Sequence, residues 1–77
     1  MNTVLKESVP LFQKVGAEIL HLRMEMGLTQ MALAKRMGVT QQEISRLERG
    51  DNCSLSTLNR IAQALDCEIG IHFKPKG

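Results

Sequence analysis

Two adjacent glutamines and a nearby arginine form the most specific chemical pattern in the chain. Gln41, Gln42, Ser45 and Arg46 lie within the stretch QQEISR, so on a helix they occupy two successive turns. A glutamine amide donates and accepts hydrogen bonds together, which matches the N6/N7 edge of adenine. Arginine can contact guanine O6/N7 in a bidentate manner or reach a phosphate oxygen. These residue types are able to read base edges in a DNA groove, although by themselves they are more typical of a helix face that meets solvent.

Simpler explanations of the same residues stay open at this point. Gln41, Gln42 and Ser45 are also typical of a helix face that only meets solvent. Arg46 lies three residues after Glu43, and this spacing suits an ordinary ion pair on one helix.

Four helical segments are predicted to position these side chains. Apolar residues recur at helical spacing within each segment, which places the helices at roughly residues 10–26, 30–37, 41–48 and 55–65. Thr29, Thr40 and Ser54 are suitable N-caps, and Gly27 and Gly38 suit left-handed helix ends. The stripes of the first and last helices consist of Leu11, Val15, Ile19, Leu22, Met26, Leu55, Leu58, Ile61, Ala62 and Leu65.

The second and third helices are predicted to cross at a steep angle. Their linker is so short that it permits only a crossing of about 90–120°. Ala34 leaves room where the backbones meet, and Gly38 allows a positive φ in the turn. Leu33, Ile44 and Leu47 are then expected to form the core below the turn.

The end of the chain changes to a period of two. In residues 67–74 an apolar side chain occurs at every second position, which predicts a strand with one buried face. A lone strand must find a partner for its backbone groups. The simplest partner is the same strand of a second subunit, and the alternative is the N-terminal arm. The predicted organisation is a flexible arm at residues 1–9, a helical domain at 10–66 and a dimerisation strand at 67–75.

Composition excludes several classes of function. The 77 residues are 43% hydrophobic and 23% charged with a net charge of +2, which is typical of one soluble domain. No apolar run approaches the ~20 residues of a membrane span, and no signal peptide or disulfide framework is visible. No nucleophile–base pair, phosphate loop, metal-ligand cluster or cofactor motif is recognisable. We therefore expect a cytoplasmic protein that is not an enzyme and has no cofactor or metal.

Residues 29–50 resemble the helix-turn-helix of the phage repressor and Cro-like family, also called the xenobiotic-response-element family. The resemblance extends over residues 15–65 and rests on four features: the Gly-Leu-Thr-Gln entry from Gly27, the Ala34/Gly38 spacing, the Ile44/Leu47 pair and the Leu-Glu-x-Gly exit that ends at Gly50. It implies a mainly α, lambda-repressor-like bundle of four to five helices. The second helix of the motif would lie in the major groove.

The resemblance also implies roles for individual residues. The base-reading positions are Gln41, Gln42, Ser45 and Arg46, and the phosphate-binding positions are Thr29, Gln30, Thr40 and Arg49. Arg23 and Glu48 match positions that form an internal ion pair in family members.

The implied function is sequence-specific repression of transcription through double-stranded DNA. The terminal strand, with Ile69, Ile71 and Phe73 as dimer contacts, is similar to the HipB-type and HigA-type antitoxin branch. That branch implies a homodimer on a palindromic operator, autoregulation and a cognate toxin as partner. The alternatives are a phage-type or restriction-control regulator without a toxin, and a helix-turn-helix protein–protein adaptor.

Overall fold

The computed structural model describes residues 3–76, with side chains from residue 11 onward. Its regular secondary structure is entirely helical within this range: α1 (Thr3–Glu25), α2 (Gln30–Met37), α3 (Gln41–Glu48) and α4 (Leu55–Ala64). The predicted bounds of α2 and α3 are confirmed, and α4 ends one residue earlier than predicted.

The first helix begins well before the predicted start near residue 10. α1 starts at Thr3, although its apolar spacing becomes regular only from Leu11. Residues 3–9 of the predicted arm are therefore helical, so they do not provide a partner strand for the C-terminal segment. Residues 1 and 2 of that arm lie outside the described residues.

Short-range polar contacts fix where the next three helices begin. The hydroxyl groups of Thr29, Thr40 and Ser54 each accept a hydrogen bond from the backbone N–H three residues later in the chain. These contacts satisfy N–H groups that the first helical turn leaves without an intrahelical acceptor. Gly38 has a φ of +71°, a conformation that glycine adopts without strain, and it ends α2 directly before α3.

The core lies where α1, α2, α3 and α4 meet beneath the turn. Leu33 and Ile44 are completely buried, and Ala34 is only 4% exposed, which is consistent with a small residue at a close approach. The remaining members of this cluster are Ile19, Met37, Leu47, Ile61 and Leu65. The predicted core of the helix-turn-helix is thus confirmed.

Three predicted stripe positions are wrong, since Leu11, Met26 and Leu55 are 56%, 38% and 65% exposed. Met26 lies in the turn after the end of α1 at Glu25. Leu11 and Leu55 line an open, mainly apolar groove of about 730 Å³ between α1, α4 and the C-terminal segment. Periodicity identified the apolar side of each helix correctly, but the described residues include no neighbour that covers Leu11 or Leu55.

The predicted C-terminal strand is not formed in the single described chain. Residues 67–76 have no regular secondary structure, because a strand needs backbone partners and the described residues include no second strand. Ile69, Ile71 and Phe73 are 39%, 57% and 90% exposed.

Two arginines join the ends of α2 and α4. Arg36 donates to the Ala64 carbonyl at 3.0 Å, and Arg60 donates to the Met37 carbonyl. Each arginine thereby satisfies a carbonyl in the last turn of the other helix.

None of the described helices combines the length and apolar character that crossing a bilayer requires.

Candidate nucleic-acid interface

One face of α3 is left free for a ligand. Ile44 and Leu47 are buried against the core, whereas Gln41, Gln42 and Arg46 are exposed and Ser45 is half-buried. At 100° per residue, the four predicted base-reading positions fall within roughly 140° of arc on α3. The structure thus brings these positions together on the face opposite the core.

A buried ion pair ties this helix to α1. Arg23 Nε donates to Glu48 Oε2 at 2.6 Å, and Nη2 donates to Oε1 at 3.1 Å. The side chains are only 11% and 6% exposed. The third donor of this arginine, Nη1, reaches the Leu28 carbonyl at 2.8 Å, so the guanidinium also holds the loop that leads into α2.

Arg23 keeps its positive charge throughout any accessible pH range. Its hydrogen bond to Glu48 and the opposite charge there raise its pKa above the ordinary arginine value, although burial alone acts in the opposite direction. The predicted structural role of Arg23 and Glu48 corresponds to this bidentate pair.

A hydrogen-bond network continues from the ion pair to the surface. Gln30 Nε2 donates to Glu48 Oε1 at 2.9 Å, and Gln30 Oε1 accepts from Gln41 Nε2 at 3.3 Å. These hydrogen bonds therefore connect Arg23 of α1, through Glu48 at the end of α3 and Gln30 at the start of α2, to Gln41 at the start of α3.

This hydrogen-bond network leaves Gln41 with one free N–H donor and its carbonyl oxygen, which are the groups that an adenine edge needs. A primary amide has two N–H donors and a carbonyl oxygen with two lone pairs, and Gln30 accepts only one donor. The other N–H can donate to adenine N7 while the oxygen accepts from the N6 amino group. Because Gln30 restrains the amide, less side-chain freedom is lost on binding.

Three of the four phosphate-binding candidates lie at the starts of α2 and α3. Thr29 and Thr40 are exposed, and their hydroxyls accept from Ala32 and Glu43, so neither cap occupies the first N–H groups of its helix. Such N–H groups favour anions. Arg49, the fourth candidate, is exposed directly after the end of α3.

The side chain of Gln30, a predicted phosphate contact, is bonded within the protein. It is half-buried and is bonded on both sides, to Glu48 and Gln41. Sequence analysis did not find this bond, since the crossing angle of the two helices decides whether their first residues meet. The available signal was a glutamine at the first position of both helices.

The simpler explanation of Arg46 is not observed. Among the described residues, the His21 imidazole contacts Glu25 and Arg23 forms an ion pair with Glu48, and no ion pair joins Arg46 to Glu43. Both side chains line a shallow polar pocket beside the loop before α4. Arg46 is thus available for a ligand on the exposed face.

The described cysteine and acidic side chains form no metal site of their own. Cys53 and Cys67 are free thiols that pack half-buried against the core. Burial raises the pKa of the Cys53 thiol, which reduces its thiolate fraction at neutral pH. Within residues 3–76, no cluster of histidine, cysteine and acidic side chains has metal-binding geometry.

Comparison with protein families matches the same part of the chain. The profile of the helix-turn-helix family HTH_3 matches residues 19–71. An uncharacterized HTH-type transcriptional regulator, y4dJ, from Sinorhizobium fredii is 48% identical over 52 residues, which cover 66% of this chain and 68% of that protein. A second uncharacterized HTH-type transcriptional regulator, from Methanothermobacter thermautotrophicus, is 53% identical over 47 residues, covering 60% of this chain and 68% of the relative.

Solved structures show the same architecture. The restriction-modification controller protein C.AhdI from Aeromonas hydrophila has a TM-score of 0.71 and 36% identity, over 74% of this chain and 84% of its own. The clp gene regulator ClgR from Corynebacterium glutamicum has a TM-score of 0.71 and 31% identity, over 74% and 62%. A chain of the HipA–HipB–O2–O3 complex has a TM-score of 0.71 and 29% identity, over 83% and 92%.

The buried pair predicts a large loss of stability for Glu48→Ala. This change leaves the Arg23 charge buried without its partner and should lower the free energy of unfolding by about 3–5 kcal/mol. Glu25→Ala is the matched control, since Glu25 pairs with His21 at an exposed site and should cost less than about 1 kcal/mol. Urea unfolding followed by circular dichroism measures both. Equal losses for the two variants would contradict a structural role of the buried pair.

Proposed function

Because the chain belongs to the helix-turn-helix family HTH_3, we propose that it is a transcriptional repressor that binds a specific sequence of double-stranded DNA. In this proposal α3 enters the major groove, and binding at a promoter excludes RNA polymerase. The protein then works in the cytoplasm, where its promoter is. The HTH-type regulators that it resembles over 47 and 52 residues support this assignment.

The observation on which the proposal chiefly rests is the restrained, exposed amide of Gln41. Its bond to Gln30 orients an adenine-matching group on the free face of α3. A protein–protein adaptor would have no evident need for this arrangement. Gln42, Ser45 and Arg46 extend the same face by one turn, and we assign base contacts to all four side chains.

Phosphate contacts would fix the register of α3 in the groove. We assign them to Thr29, Thr40, the first N–H groups of α2 and α3, and the Arg49 guanidinium. Gln30 contributes through its backbone N–H, while its side chain supports Gln41. Contacts of this kind hold a helix-turn-helix on DNA but do not distinguish sequences.

The proposed repressor is a homodimer. Residues 67–75 of two subunits would pair as antiparallel strands, which supplies the backbone partners that a single chain lacks. The strand of the partner subunit would then cover the open groove that Ile69, Ile71 and Phe73 line together with Leu11 and Leu55. In support, all five side chains are 39–90% exposed and line one groove, and a group of exposed apolar side chains is a feature of protein interfaces.

Dimerisation would also complete the DNA site. One α3 helix contacts only a half-site, and a two-fold dimer presents two α3 helices about one turn, ~34 Å, apart. The expected operator is therefore a palindrome.

Within this function, we assign the protein to the autoregulating antitoxins with a cognate toxin. The resemblance of the terminal segment to the HipB-type branch supports this assignment, as does the 92% coverage of a chain in the HipA–HipB–O2–O3 complex. A restriction-modification controller is the second candidate, supported by the 36% identity with C.AhdI. Co-purification with the product of the adjacent gene distinguishes them: a stoichiometric complex supports the antitoxin, and its absence beside a restriction–methylation gene pair supports the controller.

Replacing Gln41 tests the base-reading assignment. Gln41→Ala should weaken binding to the operator by about 1–3 kcal/mol and affect random DNA much less. Gln63→Ala, an exposed glutamine on α4, is the matched control and should leave both affinities unchanged. Fluorescence anisotropy with labelled duplexes measures the affinities. Equal losses on operator and random DNA would remove the base-reading role.

The salt dependence of binding tests the phosphate contacts. Arg49→Ala should weaken binding to every sequence and reduce the slope of log K against log [salt] by about 1. Lys14→Ala removes an exposed charge from α1 and should leave the slope unchanged. If both variants retain the wild-type slope, Arg49 does not contact phosphate.

Removal of the terminal segment tests the proposed dimer contact. A chain that ends at Asp66 should be monomeric by light scattering, because it lacks the pairing segment. A chain that ends at Pro75 retains the segment and should remain dimeric. Dimers of equal stability from both chains would move the interface to the helices.

A further inference from the structure

Gly16 lies where α1 touches the end of α3, and it is buried. A Cβ atom at this position would be 2.5 Å from the Leu47 carbonyl oxygen and 2.7 Å from the Glu48 carbonyl oxygen. Both contacts are to backbone atoms, so rotation of a side chain could not relieve them. The absence of a side chain at Gly16 therefore determines how closely α1 approaches α3.

A second glycine packs tightly at the same junction from the other side. Gly50 follows α3, and a Cβ atom there would lie 3.0 Å from Gln13 Cγ and 3.1 Å from Gln13 Cα. Each helix segment thus contributes one glycine: Gly16 receives the last carbonyls of α3, and Gly50 receives the backbone of α1.

The glycine junction and the buried ion pair lie on one face of α1. Gly16, Ile19 and Arg23 are separated by three and four residues, and all three are buried. Gly16 meets the backbone of Leu47 and Glu48, while Arg23 binds the Glu48 side chain. The end of α3 is therefore held by its backbone and by a side chain at once.

We propose that Gly16 is a positioning residue for DNA reading, which sets how far α3 stands out from the bundle. This inference rests on the proposed function. Restoring ordinary contact around a methyl group at Gly16 requires a displacement of about 1 Å, whereas binding groups must be held to within about 0.5 Å of their productive geometry. A methyl group at residue 16 therefore moves the base-reading face out of register without touching any of its side chains.

The direction in which Gly16→Ala changes the thermal stability tests this proposal. Inside a helix, alanine is intrinsically more favourable than glycine, so an uncrowded position would gain thermal stability. The proposal requires a lower Tm, displaced amide NMR signals in α3 and an operator affinity reduced by at least about tenfold, with a smaller loss on random DNA.

Gly27→Ala is the control for a general loss of stability. Gly27 has a φ of +71°, and a Cβ atom there would lie within 4 Å of no residue beyond its chain neighbours, so alanine there strains the backbone without pressing on α3. At a temperature where circular dichroism shows both variants to be folded, Gly27→Ala should retain operator affinity within about threefold of wild type. The proposal is overturned if Gly16→Ala raises Tm and binds normally, or if the two variants lose equal affinity.

Gly50→Ala keeps the test decisive if Gly16→Ala does not fold. Gly50 and Gly27 both have positive φ, but only Gly50 is crowded by α1. Gly50→Ala should lose more operator affinity than Gly27→Ala, and equal losses would overturn the proposal. Wild-type protein that selects no sequence from random duplexes would refute the proposed function instead, while the α3 amide signals would still report whether Gly16 sets the helix position.

Discussion

The buried ion pair between Arg23 and Glu48 is the interaction on which the rest of the structure depends. Burial of two charges is unfavourable unless both are fully hydrogen-bonded. Here Glu48 bonds twice to Arg23 and once to Gln30, and Arg23 also bonds to the Leu28 carbonyl. An apolar pair of equal volume could stabilise the same junction as well, but it could not orient the Gln30 amide. Directionality is therefore what the charged pair adds.

The two sides of α1 have different tasks. One side presents Gly16, Ile19 and Arg23 to the core and to α3, and in the proposed function it determines the position of the DNA-reading helix. The adjacent side, with Leu11 and Val15 and sharing Ile19, lines the open groove that α4 and the C-terminal segment complete. In the proposed dimer, α1 is the element that connects the interface between subunits to the DNA-reading surface within each subunit. The spacing of the two half-sites then depends on the rigidity of this one helix.

Local signals predicted most of the helix-turn-helix. Thr29, Thr40 and Gly38 act on residues close to them in the chain, so the bounds of α2 and α3 could be read directly. The start of α1 at Thr3 lacked such a signal, and the exposure of Leu11 and Leu55 depended on which neighbours surround them. The Gln30–Gln41 bond and the crowding at Gly16 both depend on the packing of separate helices, which no single-segment pattern contains. The terminal segment was predicted as a strand from its alternation, but alternation cannot specify a partner.

Selection of binding sites from random DNA duplexes tests the central claim most directly. The full chain, incubated with a random duplex library through several rounds of enrichment, should select one palindromic sequence. Its two half-sites should be centred about 10–10.5 base pairs apart, and adenine should occur at the position nearest Gln41. Enrichment of no sequence, or of sequences without two-fold symmetry, would contradict the account of a dimeric, base-reading repressor.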